Sequence, residues 1–162
     1  MRFNWIWKSL IAGACGSAAQ TTLMLLKSRT GLLPGFEPYE TLRVAMSQLV
    51  GGQVAPVVPW LLSFLNGSTV IGLLFGRLFH RLPGRSGLAK GFILGLAGWL
   101  LIGTLLFPAL GYGLFARSAG HGLLPAVASF AMIQIYSLVL GLVYAAMERR
   151  WPSKAPPQDS GT

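Results

Sequence analysis

The chain has 162 residues, of which 53% are hydrophobic and only 10% charged, with a mean hydropathy of +0.60. Soluble domains carry roughly 25% charged residues, so this composition excludes an ordinary water-soluble globule, and its aromatic content excludes a disordered chain. The class that remains is a small membrane-embedded protein.

The net charge of +9 fits that class. Lys and Arg punctuate apolar runs instead of forming one basic face, a pattern of topology and anionic-lipid contact. No nucleic-acid partner is expected. The single cysteine, Cys15, excludes an intramolecular disulfide and a multi-cysteine metal site.

A helix needs about 20 apolar residues to cross the hydrocarbon core. Four stretches reach that length: 5–26, 57–79, 88–110 and 123–147. The first could be mistaken for a cleaved signal, with Ala12-Gly13-Ala14-Cys15 faintly like a lipoprotein site. Its apolar run continues to Leu26, however, longer than a signal core. The first connection holds Tyr39, Leu42, Met46, Leu49 and Val50 at helical spacing, with Pro38 suited to a first turn and Gly51 to a C-cap. This predicts a short amphipathic helix at about 38–51, either lying on the outer membrane surface or packed on the end of the bundle. The last eleven residues, 152–162, read as a disordered tail after a domain spanning 1–151.

Placing both termini in the cytoplasm puts nine of the 13 Lys and Arg residues inside and four outside. The predicted topology is N-in, C-in. Trp5, Trp7, Trp60, Tyr112, Tyr144 and Trp151 fall near span ends, as an interfacial aromatic belt would; Trp99 is the exception, near the middle of its span.

Spans 1 and 3 align without gaps from Lys8 over Lys90, through Gly13 over Gly95 and Gly16 over Gly98. Spans 2 and 4 align from Gly72 over Gly141 to Arg81 over Arg150. The pattern suggests a tandem repeat of two helical hairpins about an axis along the membrane normal, with spans 1 and 3 in equivalent places.

In lipid, close backbone approach must supply helix association. Small residues four apart share a helical face. Such stripes include Ala12 with Gly16 and Gly13 with Ser17 in span 1, Gly72 with Gly76 in span 2, Gly91 with Gly95 in span 3, and Ser137 with Gly141 in span 4. These seven glycines are the predicted helix-packing residues, within the chain or against another subunit.

The four carboxylates, Glu37, Glu40, Glu148 and Asp159, lie outside the spans or at their edges. Coupled transporters usually place acids at mid-membrane, membrane aspartyl proteases need two intramembrane aspartates, and no HExxH pattern is present. His80 and His121 fall at opposite ends of the spans, too far apart to share a metal or haem, and read as interfacial polar residues. Cys15 reads as a small packing residue. No catalytic, cofactor-binding or metal-binding residue is predicted. Gln20, Asn66 and Gln134 lie deep in the spans, where an amide must find a partner; they are expected to face the bundle interior and bond across helices, as structural glue or as the lining of a small polar site.

The small-residue first span, the Leu82-Pro83-Gly84 turn and the ending Leu140-Gly141-Leu142-Val143-Tyr144 resemble a bacterial family of small, glycine-rich, four-helix membrane proteins of unknown function. The resemblance covers most of the chain up to Trp151. It implies an inner-membrane location and an all-α four-helix bundle, and carries over no catalytic residue, cofactor or substrate. The reading favoured by the residues is a non-catalytic accessory or assembly component, partnered by the bilayer and by other membrane subunits or copies of itself. An oligomeric small-solute channel or carrier is the alternative, and a quinone- or lipid-binding redox subunit a third.

Overall fold

The computed structural model describes residues 4–31, 37–118 and 122–152. Among them the regular structure is entirely helical. The main helices are α1 (Asn4–Thr30), α2 (Pro38–Val50), α3 (Val57–Leu78), α4 (Gly87–Ala109) and α5 (Leu124–Arg150). All but α2 are long and apolar enough to cross a membrane. The protein is therefore built as a four-span, multi-pass membrane protein.

Local chemistry sets several boundaries. Pro38 opens α2, and Gly51 closes it in the left-handed region (φ 68°), its N–H bonding the Ser47 carbonyl. The Ser86 hydroxyl caps α4 by accepting the Ala89 N–H at 3.1 Å. Gly84, at φ 115°, makes the turn before it. Two helices contain a wider, π-type turn: Gly67–Ile71 in α3 and Ile102–Leu106 in α4.

Helices α1 and α5 form the central pair. Helix α3 rests on α1, and α4 rests on α5, although a short turn joins α3 to α4. The equivalence of spans 1 and 3 expected from the aligned sequences is not met, since α1 lies between two neighbours and α4 packs mainly against one. The reason lies in how each uses its small residues. Helix α4 has one such stripe, Gly87-Gly91-Gly95, and all three glycines meet α5. Helix α1 uses Gly13 toward α3 and Gly16 toward α5.

One core cluster joins Ala12, Phe75, Phe79, Tyr136, Leu140, Tyr144 and Ala145. Tyr144 corrects the aromatic-belt reading: it is fully buried, edge-on to Phe75 (centroids 5.6 Å apart) and tilted on Phe79 (4.6 Å). Its position near a helix end is interfacial in sequence, but its direction is inward. Trp99 donates its indole N–H to the Ala126 carbonyl and the Ser129 hydroxyl, both at 3.2 Å, which satisfies the polar end of a mid-span ring.

Helix α2 is packed on the end of the bundle by its first turns. The Tyr39 ring lies 4.6 Å from Trp60, and its hydroxyl bonds Ser63 at 2.8 Å. Thr41 bonds the Tyr112 hydroxyl. The far end of α2 is free of that contact, with Leu49 87% and Val50 75% exposed.

Candidate functional site

The glycine stripes hold the bundle by direct backbone contact. A Cβ built on Gly13 would sit 2.7 Å from the Ser68 carbonyl oxygen, and one on Gly72 would sit 2.6 Å from that of Ser9. Gly91 faces the Ser137 carbonyl, and Gly141 faces that of Gly87. Gly76 meets the Ser9 side chain, and Gly95 meets the Gln134 amide oxygen. At Gly13, Gly72, Gly91 and Gly141, where the neighbour is backbone, any larger residue would force the helices apart.

Gly16 meets backbone and also makes room for a ring. A Cβ there would fall 2.9 Å from both the Tyr136 carbonyl oxygen and the Tyr136 ring. Its absence leaves a passage through which Tyr136 of α5 reaches past α1 to α3. The Tyr136 hydroxyl donates to the Gly67 carbonyl at 2.6 Å. Gly67 opens the π-type turn, and the same carbonyl accepts the Gly72 N–H. One lone pair thus serves the helix and the other serves the tyrosine. Ser17 (to the Phe64 carbonyl, 3.4 Å) and Ser68 (to the same carbonyl, 2.7 Å) complete a polar seam at mid-bundle. Serine hydroxyls satisfied by helix carbonyls carry little cost in lipid.

The three amides are not brought together. Gln134 is buried between α5 and α4, its amide nitrogen 3.4 Å from the Phe92 carbonyl and its oxygen without a hydrogen bond against Gly95. Gln20 is half-buried on α1. Asn66 is exposed, which corrects the expectation that it faces inward. The inward positions on that turn belong to Gly67 and Ser68, which must be small to approach α1 and leave Asn66 on the opposite side. No hydrogen bond joins any two of the three among the described residues.

The end of the bundle that carries the termini holds a buried ion pair that the sequence reading did not find. Lys8 of α1 and Glu148 of α5 meet at 2.7 Å, with side chains 3% and 15% exposed. Lys8 also bonds the Trp151 carbonyl, and the exposed His80 lies 3.9 Å from Glu148. A signal was present: Lys8 is the one charge inside the first apolar run, and Glu148 is the one carboxylate at the edge of a span at the same end. Lys90 similarly bonds the Phe79 carbonyl and lies 4.1 Å from the centroid of its ring.

Cys15 is exposed, not a packing residue, because Ala12, Gly13, Gly16 and Ser17 occupy the buried faces of α1. Among the described residues no three His, Cys, Asp or Glu side chains group as metal ligands. His121, Asp159 and the tail from residue 153 lie outside the described residues. At the opposite end of the bundle, Arg43 bonds Glu40 at 2.9 Å and holds its carboxyl below the usual range. Burial pushes the Tyr39 phenol above its ordinary value.

Taken together, the interior is built for close helix contact; its serine and Tyr136 hydroxyls bond neighbouring backbone, while the Gln134 amide oxygen is left without a hydrogen bond among the described residues. No curated protein and no solved structure matches this chain. Residues 3–154 match the model of a family of unknown function, and the chain belongs to that family, DUF6789.

Proposed function

We propose that this protein is a non-catalytic accessory or assembly component of a membrane complex, with the outward faces of its peripheral helices as contact surfaces. One observation carries the reading: the unequal burial of the four spans. In the most apolar 18-residue stretch of each, 33% and 39% of α1 and α5 is buried, against 22% and 17% of α3 and α4. The central pair is enclosed and its glycine contacts leave backbone against backbone. The two flanking helices present most of their surface outward, with Leu61, Leu65, Val70, Leu101 and Leu105 each more than half exposed. Apart from Asn66 on α3, such faces suit lipid and partner helices alike, since apolar side chains require no polar complementarity.

An even number of crossings leaves both ends on one side, and the Lys/Arg bias makes that side the cytoplasm. The resemblance stated above favours a bacterial inner membrane. The test is isolation from native membranes in mild detergent. A stoichiometric, unrelated membrane subunit that co-purifies, and is lost on substituting outward residues of α3 or α4, supports the assignment. A chain that isolates free of other subunits, or that carries solute flux when reconstituted alone, contradicts it.

A further inference from the structure

Asn66 stands at the centre of α3, with nine residues of the span before it and twelve after. At that depth its amide is out of reach of water and headgroups. Gln20, by comparison, lies seven residues from the end of its span, roughly 10 Å from the interface at helical rise. Asn66 points away from α1, with Leu62, Leu65 and Val70 of the same helix exposed around it. Other outward polar side chains are satisfied by their own helices: Thr22 bonds the Ala18 carbonyl (2.9 Å), Thr69 that of Leu65 (2.6 Å) and Thr104 that of Leu100 (2.7 Å). The Asn66 amide makes no bond of this kind among the described residues.

A bare amide facing hydrocarbon is costly, so the position calls for a polar partner at the same depth. We infer that this partner is Asn66 of a second copy, and that the chain forms a twofold dimer through the outward face of α3. Copies inserted with one topology are related by a rotation about the membrane normal, which brings each residue to its own counterpart at equal depth. A carboxamide is both donor and acceptor, so two of them satisfy one another reciprocally. Leu62, Leu65 and Val70 then enclose the pair and exclude lipid. A different membrane protein would need its own unsatisfied polar group at that level; a second copy has one by construction. The neighbouring π-type turn, tied down by Tyr136, fixes the direction in which the amide points.

The test uses the full chain in the Cys15→Ala background, purified and reconstituted in phosphatidylcholine vesicles. Asn66→Cys should form a disulfide-linked dimer under mild oxidation, whereas Leu101→Cys, outward on α4, should not. Energy transfer between donor- and acceptor-labelled chains should report dimers. Asn66→Leu, a lipid-compatible change at an exposed site, should weaken the dimer about tenfold, the size expected of interhelical amide bonding in lipid. Asn66→Gln should restore most of it. Transfer no greater than random proximity, equal dimerisation by Asn66→Leu, or cross-linking at Leu101→Cys in place of Asn66→Cys would overturn the inference. So would Asn66→Cys cross-linking to an unrelated protein in native membranes. The purified chain contains no other subunit, so this result is independent of the accessory role.

Discussion

The Tyr136 hydroxyl reaches across α1 to donate to the Gly67 carbonyl at 2.6 Å, tying α5 to α3 through the gap left by Gly16. One phenol thus links α5 to α3 across α1. Tyr136→Phe keeps the ring and removes the bond. It should cost about 1 kcal/mol, since interhelical hydrogen bonds in membranes seldom contribute more. Reversible unfolding in detergent checks the value. Gly16→Leu, which blocks the passage itself, should cost more than Tyr136→Phe because the ring must leave.

The glycines separate into two kinds by what surrounds them. Gly91→Ala drives a methyl into the Ser137 carbonyl and should destabilise by about 2 kcal/mol, a typical overpacking cost. Gly98→Ala meets only Ile133, at 3.9 Å. It should be neutral or stabilise by about 0.5 kcal/mol, through the lower chain entropy of alanine. Thermal unfolding of the two variants side by side is the check. Equal effects would mean that α4 does not lie on α5 as described.

The Lys8–Glu148 pair predicts an asymmetry between single and double substitution. Glu148→Gln removes the carboxylate that the buried Lys8 ammonium meets and should cost about 3 kcal/mol. Replacing both residues with Met removes both charges and should recover most of that loss. A double-mutant cycle measures the coupling. Additive single effects would show that the two groups do not interact.

The attachment of α2 should depend on pH at the alkaline end. Burial raises the Tyr39 phenol above its ordinary value of 10.0 when α2 is docked. A folded-state value above the unfolded one means that the stabilisation is complete below about pH 10. It is lost as pH rises through the raised, docked value, because ionisation then favours release. Trp60, with its ring tilted against Tyr39, reports release by its fluorescence. Tyr39→Phe should abolish the transition without undocking α2 at neutral pH.

How much of this was legible beforehand differs from residue to residue. The four apolar runs and the helix after Pro38 follow from length and periodicity, which lipid makes almost obligatory. The pairing of helices does not follow, because every span has small residues and the stripes alone do not say which faces which. Direction was the other illegible quantity. Type and depth alone place Asn66 inward and Tyr144 at the interface, yet the first points out and the second points in. Both are decided by neighbours: Gly67 takes the inward position beside Asn66, and Phe75 and Phe79 form the recess for Tyr144. The Lys8–Glu148 pair could be reached by matching the charge inside one apolar run to the carboxylate at the same end of another.

Four crossings with both ends on one side is the claim on which the rest depends. Single cysteines in the Cys15→Ala background at Asn4, Trp151 and Gln53, labelled in sealed vesicles with a membrane-impermeant maleimide, test it directly. Asn4→Cys and Trp151→Cys should react from the same side, and Gln53→Cys from the other. Labelling of Asn4→Cys and Trp151→Cys from opposite sides would contradict the account.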